Sequence, residues 1–370
     1  MNDQDYMRRA ISLARRGAPW TSPNPLVGAV IVKDGRIIGE GWHEKCGGLH
    51  AERNALKHCT EDPAGAAIYV TLEPCCHHGR TPPCTEALIE QGISRVIIGS
   101  RDPNPLVAGR GAAVLRAAGI AVEEDFLREE CDELNPIFFH YITTKRPYTA
   151  VKYAMTADGK LATVTGASQW ITGEEARAHV HLLRSRYRAI LVGIGTVLAD
   201  DPRLNCRAEG GRDPIRVICD SSLRLPINCQ ICRTAAQQET IVACAREDAE
   251  KKAALEKLGI TVLCLPGQDG RVDLNALAAE LGARGIDSLL IEGGGEIHAA
   301  ALEAGIVQRV YAYVGAQLFG GRRAKTPLGG AGVSVPAESQ KLTRKRVETF
   351  GNDILLVYDT DGAEHEEGDG

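Results

Sequence analysis

The chain places His50-Ala51-Glu52, Pro74-Cys75 and Pro83-Cys84 in a spacing that requires three segments to meet at one point if they share an ion. One imidazole and two thiolates are a ligand set suited to zinc. A catalytic zinc keeps three protein ligands and leaves its fourth position to water, whose pKa falls toward about 7. Glu52 stands next to these ligands without needing to be one, so its carboxyl can pass protons between that water and a departing group. A closed structural site would need a fourth ligand, and Cys76, His77 and His78 are the candidates for it. The surrounding pattern suits a short α/β unit. His50 to Cys59 reads as a helix that begins at the histidine, Ala66 to Leu72 as a strand, and Thr85 to Gln91 as a helix just after Cys84. Two helix N-termini then face one metal, where their dipoles favour thiolates.

The same alternation runs through the whole chain. Asp5 to Arg16 reads as a helix, and Leu26 to Val32 with Arg36 to Trp42 as a hairpin turning at Lys33-Asp34-Gly35. Arg95 to Gly99 and Ile120 to Glu124 read as strands, Gly111 to Ala118 as a helix, and Arg128 to Thr144 as one further helix. The polar run Thr143-Thr144-Lys145-Arg146-Pro147 marks a boundary, after which a second series begins. Its strands are Tyr148 to Met155, Ala189 to Gly193, Ile215 to Cys219, Thr240 to Ala243, Thr261 to Leu265 and Ser288 to Glu292, with three more after residue 308. Helices are predicted at Gly173 to Tyr187, Glu247 to Leu258, Leu274 to Arg284 and Glu296 to Ala304. The expected division is a layered α/β domain over 1–145, a second α/β domain over 146–360, and an acidic, disordered tail over 361–370.

Charge and cysteine usage narrow the function. A net charge of −5, a pI near 6.1 and no block of Lys or Arg argue against a nucleic-acid surface and for a small-molecule substrate. Met1 to Gly17 has no apolar core region, and no apolar run is long enough to span a bilayer, so a cytoplasmic protein without membrane contact is expected. The 12 cysteines form no disulfide framework, which fits a reducing compartment. Cys229-Gln230-Ile231-Cys232 has neither a second half for a zinc site nor a redox setting, and reads as surface loop and strand edge.

In the second half, Gly193-Ile194-Gly195 carries only the start of a dinucleotide fingerprint, because Leu198 stands where a third glycine belongs. Leu289-Leu290-Ile291-Glu292-Gly293-Gly294-Gly295 leads into a helix whose first N–H groups can cradle a phosphate, or it is merely a tight turn. Lys152, Asp200 and Glu292 are the polar groups near these strands that could act as acids or bases. Each also has an ordinary reading: Lys152 as a solvated strand-end charge, Asp200 as a helix cap, Glu292 as a strand-end residue. Arg184 shares a basic stretch with Arg186 and Arg188 and reads as solvated.

The ligand pattern resembles that of zinc-dependent deaminases acting on nucleobase-like rings, with eight residues between the cysteines where two are usual. More narrowly, Ser22-Pro23-Asn24-Pro25-Leu26-Val27-Gly28, the zinc motif, Lys152-Tyr153-Ala154-Met155-Thr156-Ala157-Asp158-Gly159-Lys160, Gly195-Thr196-Val197-Leu198-Ala199-Asp200-Asp201-Pro202 and Glu292-Gly293-Gly294-Gly295 occur in an order that resembles the bifunctional deaminase–reductases of riboflavin biosynthesis. The resemblance implies a cytidine-deaminase-like sandwich followed by a dihydrofolate-reductase-like α/β domain, with one catalytic zinc and NADPH. It implies deamination of a diamino-(phosphoribosylamino)pyrimidinone, then reduction of the ribosyl group to ribityl. It implies Glu52 as proton shuttle and His50, Cys75 and Cys84 as ligands, with Asn24, His43 and Arg80 on the first substrate. For the reductase it implies Ala154, Trp170, Thr196, Asp200, Ser221 and the loop Gly294, Gly295, Glu296, Ile297, His298, Ala299 and Ala300 at NADPH. Ser168, Arg184, Leu204, Arg207 and Glu292 would face the second substrate, and a homo-oligomer is expected. The competing readings are a nucleotide- or tRNA-editing deaminase with an unrelated fused domain, and a binding protein that keeps a structural zinc.

Overall fold

The computed structural model describes residues 1–78, 82–104 and 107–360, and the chain divides into two units, Met1–Lys145 and Arg146–Gly370. Arg80 and the acidic tail lie outside the described residues.

In the first unit, strands β1 (Gly28–Lys33), β2 (Arg36–Trp42), β3 (Ala67–Leu72), β4 (Arg95–Ser100) and β5 (Ala121–Glu123) form one sheet in the order β2-β1-β3-β4-β5. β1 is antiparallel to β2 and β3, and β3, β4 and β5 are parallel. The turn between β1 and β2 is made by Asp34 and Gly35, both at positive φ, which matches the twist a two-residue hairpin needs. Alternation along β1 sets the layers. Val30 and Val32 pack with Met7, Ala10 and Ile11 of helix Asp3–Ala14. Ala29 and Ile31 belong to the opposite core, with Ala51 and Ala55 of helix Ala51–Lys57, Leu88 of helix Cys84–Glu90 and Leu115 of helix Arg110–Ala117. The result is a three-layer sandwich.

Two glycines decide how closely the helix bearing the His-Ala-Glu motif lies on β2. A Cβ at Gly41 would fall 2.2 Å from Ala55 N and 2.6 Å from Ala51 O, and one at Gly39 would fall 2.5 Å from Ala55 O. Only a bare strand admits the helix backbone there. The single helix expected over Arg128 to Thr144 is instead two, Arg128–Asp132 and Pro136–Thr144. Pro136 has no N–H to continue a helix and opens the second one at its first position. Asn135, in the break, accepts from Leu26 N at 2.7 Å and donates to Leu26 O at 2.9 Å, which fixes the chain just after Asn24.

The second unit holds β6 (Tyr148–Thr156), β7 (Ala189–Gly193), β8 (Ile215–Cys219), β9 (Thr240–Cys244), β10 (Thr261–Cys264), β11 (Ser288–Gly293), β12 (Arg309–Gly315), β13 (Leu342–Phe350) and β14 (Asp353–Thr360). Their order is β10-β9-β8-β7-β11-β6-β12-β14-β13, parallel from β10 to β12, with β14 antiparallel to both its neighbours. Leu191 packs with Leu277 and Leu281 of helix Leu274–Ala283 on one face. Ile190 and Val192 pack with Val197 of helix Ile194–Asp200 and Leu255 of helix Ala249–Glu256 on the other. The strands after β7 step away to one side, β11 returns between β7 and β6, and β12 lies beyond β6. In sheets whose strand order reverses in this way, ligands usually bind at the carboxyl ends of the strands beside the reversal.

Cys229 and Cys232 are not surface loop. Cys229 is the N-cap of helix Gln230–Arg233, and both side chains are buried with Ile218, Leu225 and Ile231. A reduced cysteine packs as a small apolar side chain, which the spacing alone could not reveal.

Candidate active sites

His50 is the N-cap of helix Ala51–Lys57 and makes no side-chain cap bond, so its ring is free to face the first residue of helix Cys84–Glu90. Its Nδ1 lies 3.4 Å from Cys75 Sγ and 3.4 Å from Cys84 Sγ, and the three ligand atoms all lie within 4.8 Å of one another. Those spacings suit one tetrahedral ion held by bonds of about 2.0–2.3 Å. Cys76, His77 and His78 are not part of this group. His77 lines the adjoining cavity and His78 pairs with Glu86 at 3.3 Å in an exposed position. Cys84 N donates to Cys75 Sγ at 3.4 Å. The Cys84 thiol, with His50 and Cys84 N–H, holds Cys75 down at about 4, while the Cys75 sulfur and burial push Cys84 up.

Glu52, two residues beyond His50, is buried, and burial together with Cys75 raises it above the ordinary carboxylate range. It lines a cavity of about 520 Å³ with Asn24, His43, His50, Cys75 and Asp102. His43 Nδ1 lies 2.9 Å from Leu49 O, so that nitrogen carries the proton, and Nε2, 3.1 Å from Asn24 Nδ2, accepts. The Asn24 amide is thereby oriented with its oxygen left for a ligand.

Three residues that the sequence did not single out build this site. Arg53 donates to Pro82 O at 3.2 Å and Pro83 O at 2.9 Å, pinning the segment that delivers Cys84. Glu73, buried, accepts from Gly109 N at 3.0 Å and Ala112 N at 3.2 Å, which anchors the end of β3 to helix Arg110–Ala117 just before Cys75. Asp102 accepts from Asn104 N at 2.8 Å, lines the cavity beside it, and is raised to about 6 by burial. The one visible signal was the Pro82-Pro83 pair, whose carbonyls need donors that prolines cannot supply to each other.

In the second unit, three predicted residues converge. Arg184 Nε and Nη2 donate to the two Glu292 oxygens at 2.6 and 3.0 Å, and Lys152 Nζ lies 3.5 Å from Glu292 Oε2. Side-chain exposures of 17%, 13% and 4% for Arg184, Lys152 and Glu292 put this triad out of bulk solvent, against the solvated readings of Arg184 and Lys152. Burial pulls the Lys152 ammonium down despite Glu292. Arg184 Nη1 also donates to Asn205 O at 3.0 Å, so the arginine is already committed on three sides. Arg207 is exposed and rests on His181. Leu204 is buried with φ 54°, and its carbonyl accepts from Gln238 Nε2 at 3.1 Å, so only its backbone can meet a ligand.

At the carboxyl end of β11, a Cβ on Gly293 would fall 2.7 Å from Thr196 Oγ1, and Gly294 sits at φ 82°. The helix expected over Glu296 to Ala304 is present as Gly295–Glu303, so the segment Gly294 to Ala300, which the resemblance treats as a cofactor loop, is helical from Gly295. His298 and Ala299 are buried, so a cofactor would meet the backbone of the first turn and not these side chains. Ala154 lies in β6 and Ser221 just past β8, while Asp200 is the exposed last residue of its helix and Asp201 caps it. Ser168 and the exposed Trp170 lie on the segment after β6, with Arg177 stacked 4.5 Å over the indole.

The comparisons with known proteins agree with this division. Residues 1–100 match the cytidine and deoxycytidylate deaminase zinc-binding region, and residues 147–356 match the RibD C-terminal domain. The chain is a zinc-type deaminase joined to a reductase. It is 58% identical to the riboflavin biosynthesis protein RibD of Actinobacillus pleuropneumoniae over 97% of this chain and 95% of that one, and 40% identical to that of Escherichia coli over 96% and 99%. The crystal structure of a diaminohydroxyphosphoribosylaminopyrimidine deaminase/5-amino-6-(5-phosphoribosylamino)uracil reductase from Thermotoga maritima superposes with a TM-score of 0.86 at 39% identity, covering 96% of this chain and 98% of that one. RibD of Acinetobacter baumannii gives a TM-score of 0.86 at 38% identity, covering 97% and 98%. The chain belongs to the RibD family of bifunctional riboflavin biosynthesis enzymes, and an editing deaminase with an unrelated partner domain is not favoured.

Proposed function

We propose that the deaminase domain, 1–145, hydrolyses the 2-amino group of 2,5-diamino-6-(5-phosphoribosylamino)pyrimidin-4(3H)-one, and that the reductase domain, 146–360, reduces the ribosyl group of the product to ribityl. The observation that carries the first half is the His50, Cys75 and Cys84 triangle with buried Glu52 on the wall of one cavity. These three residues would hold zinc, which when bound activates water for attack on an amino-bearing carbon. Glu52 takes a proton from the attacking water and returns it to the departing ammonia, a role that its raised affinity for protons supports. Asn24, oriented by His43, offers its amide oxygen to the ring, and Arg80 receives the phosphate.

In the reductase, NADPH supplies the hydride when bound. The cofactor's phosphates lie at the start of helix Gly295–Glu303, where free N–H groups favour an anion, with Ala154, Trp170, Thr196, Asp200 and Ser221 along the same cofactor. Lys152, held by Glu292, is the proton donor beside the ribosylamine, and Glu292 keeps it in place. Arg207 takes the substrate phosphate, because its guanidinium is exposed while that of Arg184 is already bound. Ser168 and the Leu204 backbone complete the substrate face.

The protein acts on small molecules in the cytoplasm and assembles as a homo-oligomer. Strand β13 is an edge of its sheet, where a second copy can pair, and it carries exposed Leu342 and Val347 among the charged Arg344 and Lys345; no helix among the described residues is long and apolar enough to cross a membrane. Incubation with the diamino substrate, with and without NADPH, tests the main reading: mass analysis should find the deaminated product in both and the ribityl product only with NADPH.

A further inference from the structure

His181 lies on helix Glu174–Arg186, one turn before Arg184, and is 9% exposed. Its Nε2 is 3.0 Å from Arg207 Nε, and its Nδ1 is 3.2 Å from Arg207 N. Its carbonyl accepts the Cys206 thiol at 3.2 Å. Both Arg207 nitrogens are donors only, whereas a neutral imidazole has a single acceptor nitrogen. The charge-assisted bond is the stronger, so Nε2 accepts from the guanidinium; Nδ1 then carries the proton, and its 3.2 Å approach to Arg207 N is a contact of two donors and not a hydrogen bond. This arrangement grips the guanidinium by its inner edge through Nε and leaves the outer Nη groups for a ligand.

We propose that His181 is a positioning residue of the reductase: it orients Arg207 so that the outer edge of the guanidinium meets the phosphate of the substrate. The proposal rests on reading Arg207 as the phosphate-binding arginine. Helix Glu174–Arg186 thereby serves both ends of the substrate. Arg184 fixes Glu292 and the Asn205 carbonyl, and His181 fixes the arginine two residues further along that loop. Without the imidazole, Arg207 keeps its charge but samples many rotamers, so binding of the phosphorylated substrate weakens and turnover does not.

The test is kcat and KM of the full-length protein on the deaminated intermediate with and without its phosphate. It compares the parent, His181→Ala, His181→Gln, Arg207→Ala and the His181→Ala/Arg207→Ala double variant. Arg207→Ala should lower the preference for phosphate about ten- to a hundred-fold. His181→Ala should raise KM for the phosphorylated substrate about three- to ten-fold, with kcat and the dephosphorylated substrate little changed. His181→Gln, whose amide oxygen can accept from Arg207, should restore most of the loss, and the double variant should be no worse than Arg207→Ala alone. Equal losses on both substrates in both His181 variants, or additive losses in the double variant, would overturn the positioning role while leaving Arg207 as the phosphate ligand. An unchanged phosphate preference in Arg207→Ala would instead remove the phosphate reading itself, and the His181 role with it.

Discussion

Glu52 and the three candidate ligands, His50, Cys75 and Cys84, are separable by chemistry. Glu52 is buried beside the ligands but outside their triangle, so Glu52→Ala should keep stoichiometric zinc and lose ammonia release by at least about 100-fold. Reduction of the deaminated intermediate should persist, since that chemistry belongs to the other unit. Near-parental ammonia release would remove Glu52 from the mechanism. Cys75→Ser and Cys84→Ser each delete a thiolate from a three-ligand set and should strip both zinc and deamination. Cys76→Ser should do neither, because Cys76 lies outside the triangle. Zinc loss in Cys76→Ser, measured by metal analysis, would mean a closed site.

At the scale of elements, the helix bearing His50 and Glu52 sits where it does because β2 is bare at Gly39 and Gly41. Gly41→Ala places a methyl against Ala55 N, Ala51 O and Asn54 C, all of them backbone, so the helix must move. Overpacking of this kind costs about 1–3 kcal/mol, and the displaced N-cap should also weaken zinc binding. A parental melting temperature and zinc content in Gly41→Ala would show that the sheet yields instead. Elements like these were legible where one local signal decides them. Lys33-Asp34-Gly35 fixed the hairpin, and the runs Ala189 to Gly193 and Ile215 to Cys219 gave strands with the observed bounds. The break at Pro136 was missed because apolar spacing on both sides hid it. Cys229 and Cys232 were misplaced because a short buried turn has the same composition as a surface one. The Lys152, Arg184 and Glu292 triad joins residues 140 and 108 positions apart, and no local pattern encodes such a pairing. The triangle of His50, Cys75 and Cys84 was the exception, since metal chemistry itself ties the three segments together.

For the whole molecule, the buried charges of the reductase unit predict acid sensitivity that the sequence composition would not suggest. His181 is held down at about 4, by burial first and then by Arg184 and Arg207. In the unfolded chain a histidine titrates near about 6.5. Between those values the unfolded chain takes up a proton that the fold refuses, so this contribution is complete above the unfolded value and drains away as pH falls to the folded one. Glu292 behaves alike at lower pH. Its burial favours the neutral form, but Arg184 and Lys152 outweigh that and hold it at about 2, so its contribution is present above the ordinary carboxylate range and is lost as pH falls through the folded value. The His181 share should amount to something on the order of 1–3 kcal/mol. Calorimetry of the full-length protein can isolate it, because the reductase transition is the one that NADPH raises. That transition should fall steadily from about pH 6.5 to about pH 4 in the parent, and His181→Gln, which has no titrating group, should flatten the slope across that window. The same slope in both proteins would mean that folding leaves His181 at its ordinary value, so burial and the two arginines do not hold it down.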